Sequence, residues 1–386
     1  MITFNRHALL TMGFLVASAQ VQAAELSFKY DIKASAESDS NVRLTTNKTK
    51  IQGGVLSANF ELASKTPTLE LGLVGGADFS KFDESRFDSN DQDIAAHANY
   101  KTAQSELGIT AGFMRDSTRT SELEDTGRFQ DAAIRREQGD VGVHWNYTIN
   151  RTNGVKLSAQ HSEVDYATDL LRDYDVENVT LTYTHILNKR ISLQAQAYLQ
   201  NYQTSGGLEI AADTFGGQVG VVTALSKKFS FTALVGTAKT DQDFDTPFGT
   251  VSQSSNNFVL NASLKYRVPR YEMSLGLTRS ITPSGNGFVQ LSTIGRANVS
   301  YRVGKYAQIF ANITQGTNKT VGNTFSANRD FQSASAGLRY RISKAWRLSL
   351  RYRYRNQEPF NSNIKAKSNA VYFTLHYQPL AHKWKS

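Results

Sequence analysis

The sequence predicts an all-β protein: a single transmembrane, antiparallel, up-and-down β-barrel of about 18 strands, with 16 or 20 as the neighbouring even counts. Three observations carry that expectation. Apolar and polar residues alternate through most of the chain, the period of a strand whose two faces meet different media. Connections alternate in length, tight after even-numbered segments and long after odd ones, as in barrels with short periplasmic turns and long extracellular loops. Aromatic residues collect at the short-turn ends, where an amphipathic ring has one wet and one apolar side.

Composition removes the competing classes. The 386 residues are 20% charged and 40% hydrophobic. Mean hydropathy is −0.41, and no run past the N-terminus approaches the roughly 20 apolar residues of a spanning helix. Cys is absent, which excludes a disulfide framework, thiolate metal site, Cys nucleophile or lipoprotein anchor. The 17 Tyr, 21 Phe and 3 Trp are too many aromatics for a chain that buries nothing. A net charge of +9 points toward acidic partners once its placement is known.

Residues 1–23 read as an export signal, cleaved after Ala23: a basic start at Arg6 and His7, an apolar stretch from Ala8 to Ala17, and the small-residue ending Val21-Gln22-Ala23. Residues 24–386 read as the barrel. Leu26, Phe28, Tyr30 and Ile32 open the alternation, with Ser27, Lys29, Asp31 and Lys33 between them. It returns at Leu69, Leu71 and Leu73, then at Leu107, Ile109, Ala111 and Phe113, then at Val141, Val143, Trp145 and Tyr147. Ile191 to Leu199, Phe258 to Tyr266 and Trp346 to Tyr354 continue it, and Val371, Phe373, Leu375 and Tyr377 close it. Each segment suits a tilted membrane strand of about 10–12 residues. Long connections are expected at Glu37–Lys50, Lys81–Asp91, Ser117–Glu137, Asp241–Asn256 and Asn356–Ser368. The girdle is expected from Tyr100, Tyr147, Tyr183, Tyr266, Tyr301, Tyr340 and Tyr377, with Phe229, Tyr271 and Trp346 opening the next strands.

If the apolar positions face lipid, the alternate positions face an aqueous bore. A one-residue slip would put each Arg or Lys into hydrocarbon at roughly 2–4 kcal/mol near the midplane. That facing turns Lys265, Arg267, Arg296, Arg302, Arg339, Arg341, Arg347, Arg351, Arg353 and Arg355 inward. Between Lys265 and Arg355 lie 16 Lys or Arg and only two acids, a net +14 that leaves −5 for the rest of the chain. Guanidinium groups are permanently charged and grip carboxylate or phosphate with a planar fork, so such a stripe favours anionic solutes. Tyr198, Tyr306 and Tyr372, with Gln194, Gln196 and Gln200, are read as lumenal stacking and hydrogen-bonding groups for sugar rings. Two structural roles stand beside that reading. The stripe could pair with lumenal acids such as Asp31, Glu61, Glu70 or Asp140, or with an acidic loop folded inward. Its rim could instead bind lipopolysaccharide phosphates.

The segment Glu37-Ser38-Asp39-Ser40-Asn41-Val42 after the first strand, and the closing Asn369-Ala370-Val371-Tyr372-Phe373-Thr374-Leu375-His376-Tyr377-Gln378-Pro379, resemble the β-barrel porin family of Gram-negative bacteria associated with exopolysaccharide production. The layout is also similar to that of alginate-export barrels. The resemblance implies an outer-membrane channel, a role in exopolysaccharide secretion and a periplasmic export partner. The last strand resembles the signal read by the barrel-assembly machinery, although nine residues follow Tyr377.

An enzyme is not expected. His97, His144, His161, His185, His376 and His382 form no nucleophile–base pairing or metal spacing with acids. No phosphate loop, dinucleotide fingerprint or nucleic-acid module occurs, so no catalytic, cofactor or metal residues are assigned. The resulting expectation is an outer-membrane, porin-like channel in contact with lipid and lipopolysaccharide. It passes anionic solutes and, on the resemblance, an acidic exopolysaccharide. A non-conducting scaffold for a secretion complex is the main alternative, and a rim hydrolase a weaker one.

Overall fold

The computed structural model describes residues 25–119, 133–205, 209–246, 249–285, 287–322, 328–358 and 365–385. The export segment 1–23 and the acidic Glu122, Glu124 and Asp125 lie outside them. Eighteen strands cross the barrel: β1 (Glu25–Asp39), β2 (Ile51–Lys65), β3 (Leu69–Phe82), β4 (Ser89–Lys101), β5 (Ser105–Ser117), β6 (Arg135–Thr148), β7 (Asn153–Tyr166), β8 (Asp173–Ile186) and β9 (Ile191–Ser205); then β10 (Ile210–Thr223), β11 (Phe229–Thr246), β12 (Gly249–Arg267), β13 (Tyr271–Thr282), β14 (Gln290–Val303), β15 (Ala307–Thr320), β16 (Arg329–Arg341), β17 (Trp346–Glu358) and β18 (Ala366–Tyr377). Each pairs antiparallel with the next, and β18 returns to β1 through Ile32↔Tyr377 to Asp39↔Ala370. The sheet therefore closes, which leaves no spanning edge to hydrogen-bond in lipid.

The inside–outside pattern is inverted relative to a water-soluble fold. Phe215 is 61% exposed, Val219 60% and Leu199 56%, whereas lumenal Gln242 and Thr240 are buried. The apolar residues of the alternation thus form the outer surface, and hydrocarbon is the medium that makes that arrangement favourable. At the short-turn end Tyr266 lies 4.5 Å from Phe229 and 5.8 Å from Tyr271, and Trp346 lies 4.8 Å from Tyr377. These outward contacts form the periplasmic girdle.

The strands are longer than the apolar alternation indicates, 12–19 residues against the expected 10–12. They continue beyond hydrocarbon as polar strands, and connections shrink accordingly. The clearest correction is Asp241–Asn256: β11 and β12 stay paired from Phe229↔Tyr266 to Thr246↔Gly249, a projecting hairpin in place of a long loop.

Several lumenal glycines sit under bulky partners on the neighbouring strand. Gly337 lies opposite Phe310, and a Cβ there would meet the Phe310 ring at 2.6 Å and the Leu350 carbonyl at 2.4 Å. Gly216 makes the same room for Tyr198. A ring over a glycine shields backbone that would otherwise be bare, and it fixes the ring's direction.

The residues after Tyr377 form a further short strand, β19 (His382–Lys385), which pairs with the first four residues of β1. Ile32 faces Tyr377 and Phe28 faces His382, so four steps along β1 match five along the C-terminal segment. One extra residue is a β-bulge. The tail thus continues β18 down the seam after a local kink, joined by the Lys383–Glu25 ion pair.

Candidate functional site

All ten cations of the predicted stripe stand on the face opposite the exposed apolar side chains. On β17, Leu350 and Tyr352 are exposed on the outside while Arg351 and Arg353 lie over the ring of Tyr372, at 4.1 and 5.0 Å, on the inside. Register then aligns the stripe in rows. Arg296 of β14 leads through Thr314 and Ser333 to Arg355. Phe310, Gly337, Arg351 and Tyr372 form a second row, and Arg302, Gln308, Arg339 and Ser349 a third. At the periplasmic mouth Arg341 lies directly opposite Arg347, which lies opposite His376, which lies opposite Lys33.

The ten divide by partner. Arg355 meets Asp39 at 2.9 Å and Arg353 meets it at 3.5 Å, with Asp39 fully buried. Arg267 pairs with Glu272. The other seven, Lys265, Arg296, Arg302, Arg339, Arg341, Arg347 and Arg351, have no ion-pair partner among the described residues. Arg339 and Arg351 instead stack on rings, Arg339 at 4.3 Å from the Phe310 centroid. A ring face attracts the cation and leaves its charge uncancelled.

The acids expected as partners do not reach the stripe. Glu61 takes Lys29 at 2.6 Å, Glu70 takes Lys65 at 3.6 Å, and Asp31 takes Lys33 and His376. Asp140 accepts from Ser162 and Gln138. Asp39 was present in the quoted Glu37–Val42 motif, but only barrel closure brings it beside β17. Tyr306 is a further correction. It sits in the β14–β15 turn, 49% exposed and 6.4 Å from the outward ring of Tyr340, so it belongs to the girdle. Gly304, with φ +68°, reverses the chain just before it and ends the strand parity. Tyr198 and Tyr372 do face inward.

The extracellular half is narrowed by connections that fold into the bore. The carbonyls of Val42 and Leu44 accept from lumenal Arg355 and Gln357. Across the lumen, the Tyr202 hydroxyl of β9 donates to the Ser284 carbonyl at 2.8 Å, and the Arg172 amide donates to Gly285. Val289, Leu291 and Val321 pack with Tyr202, Ala212 and Val259 in a buried apolar cluster. Below these connections a cavity of about 560 Å³ is bounded by Leu44, Arg136, Tyr174, Arg296, Arg329 and Arg355. Arg136 bonds Asp116 at 3.3 Å and Gln138 at 2.6 Å, and Arg329 bonds Gln357 at 3.0 Å. Neither arginine was singled out from sequence, because both lie at strand ends where the apolar alternation has faded.

No protein-family model matches the chain, and no curated protein does. Solved structures do match. OccAB3 of Acinetobacter baumannii superposes with a TM-score of 0.50 at 13% identity, over 93% of this chain and 99% of that one. The unliganded ferric citrate transporter FecA superposes with a TM-score of 0.51 at 8% identity, over 91% of this chain and 78% of its own. The present chain has the fold of an outer-membrane β-barrel. At these identities the likeness is one of fold, so the chemistry of the bore rests on this chain's own residues.

Proposed function

We propose that the barrel is a porin-like channel whose lumenal wall favours anionic solutes, with an acidic exopolysaccharide as the solute that the quoted motifs favour. The observation that supports this most is the set of seven stripe cations with no acid partner among the described residues. Fixed positive charge on the low-dielectric wall of a water-filled bore raises the local anion concentration. Arg296, Arg339 and Arg351 lie along the wall at successive depths, so an acidic chain would pass from one guanidinium to the next. Planar-bilayer reversal potentials test the reading. The wild type should prefer chloride over potassium, and replacing Arg296, Arg339 and Arg351 by Gln should reduce that preference. Cation preference, or selectivity indifferent to the replacements, would reject it.

A second reading is favoured by the inward connections: a barrel closed at its extracellular half that scaffolds a secretion complex. Its signature is absence of conductance in the same recordings.

A further inference from the structure

The eight tight turns at the periplasmic end contain eight Lys or Arg and no acid. Arg151 lies in the β6–β7 turn, Lys189 and Arg190 in the next, and Lys227 and Lys228 in the one after. Arg270, Lys305 and Lys344 follow in the turns that precede β13, β15 and β17. All eight are exposed and none has an ion-pair partner among the described residues. The nine connections at the opposite end hold eight Lys or Arg against nine acids. The excess is therefore confined to one rim.

The strand-borne acids near that rim do not offset it. Glu25, Glu61, Glu70, Glu106 and Glu272 each lie against a cation of their own strand or the next: Lys383, Lys29, Lys65, Lys101 and Arg267. Just inside the mouth, Arg341 and Arg347 face each other directly, an arrangement that costs stability unless an anion lies between or near them. From Lys344 in the β16–β17 turn, cations follow one another through these two to Arg339 and Arg351 on the wall. A folded acidic protein would need only the rim. A flexible polyanion would use the rim and the wall together.

We infer that the periplasmic turn ring is a capture surface for a linear polycarboxylate, which enters the bore from the periplasmic side. This deepens the anion-channel reading and rests on it for the path beyond the mouth. Surface charge of this kind steers a polyanion to the mouth and raises its capture rate, and salt screens it.

The test is sided block of single channels by polygalacturonate. Channel orientation is read from an Asp169→Cys variant, whose extracellular thiol is the only one in a chain that lacks Cys. Polymer added on the periplasmic side should block at a concentration at least tenfold lower than on the extracellular side. Exchanging Arg151, Lys189, Arg190, Lys227 and Lys228 for Gln should remove that difference and leave the chloride/potassium reversal potential unchanged. Wild-type sidedness should also vanish at about 1 M salt, where the screening length is roughly 3 Å; this arm needs no variant to fold. Equal block from both sides would overturn the proposal, as would no block from either, which would leave an acidic protein as the rim's partner. A reversal potential that collapses with the turn charges would also overturn it. A channel without anion preference that is still blocked from the periplasmic side would support the rim and count against the lumenal reading.

Discussion

Asp39, the last residue of β1, and Arg355, on β17, meet at 2.9 Å inside the wall although 316 positions separate them. Arg353 reaches the same carboxylate at 3.5 Å across Ala370, and Ser368 and the Asn41 amide donate to it as well. The carboxylate ties the first extracellular connection to the closing strands and offsets part of the charge on the upper β17 end of the stripe. Asp39→Asn should therefore have two opposed effects. Removing the negative charge that both guanidinium groups share should cost roughly 3 kcal/mol of barrel stability, seen as a lower temperature for loss of the compact electrophoretic form. The freed charge should at the same time increase anion preference in reversal-potential recordings. Unchanged stability would mean that water already compensates these arginines.

Tyr202 holds the β13–β14 connection across the bore through Ser284. Removing that ring should release the connection and open the apolar cluster around Val289. Tyr202→Ala is expected to increase single-channel conductance, and Tyr202→Phe, which loses only the hydroxyl, should have the smaller effect. Equal conductance in all three proteins would show that the constriction lies elsewhere.

Facing and closure were legible in the sequence because hydrocarbon enforces them at every second residue. Parity alone puts Arg351 and Arg353 on the face that carries Tyr372. The extracellular half was not legible. Tyr202 and Ser284, or Asp39 and Arg355, meet only after closure, and no periodic signal marks such contacts. Outside hydrocarbon, polar strand and polar loop look alike, so no periodic signal marks the β11–β12 hairpin or the inward placement of Arg136 and Arg329. Strand parity does not extend to Tyr306, because Gly304 reverses the chain two residues before it.

Asp88, just before β4, gives a pH prediction. The Lys81 ammonium donates to its carboxylate and the Phe82 amide adds a bond at 2.8 Å, and together they hold its pKa below the usual carboxylate range. A depressed folded pKa means that the contact stabilises the folded state above the ordinary carboxylate value and is lost as pH falls through the lower one. The Phe82 amide resonance should stay constant through neutral and mildly acidic pH and titrate only below about pH 4. In Asp88→Asn it should be shifted already at neutral pH and show no such step. A midpoint above pH 4 would show that the Lys81 contact is not formed in solution.

The tail beyond Tyr377 makes the last prediction. The first four residues of β1 pair with β2 on one side and with β19 on the other, and among the described residues β19 is the strand that pairs with their second side. Ending the chain at Tyr377 would leave the Ile32↔Tyr377 to Asp39↔Ala370 ladder intact and expose the backbone of Glu25–Phe28 at the wet end of the seam. Unpaired strand edges fray where water can replace the lost bonds. The truncated protein should therefore still insert and close, while the amides of residues 25–28 that bond across to β19 lose their hydrogen-exchange protection and those of residues 33–39 keep theirs. If truncation instead prevented insertion, the closing signal would extend past the aromatic at Tyr377 into the bulge and β19, and the tail would be part of what the assembly machinery reads.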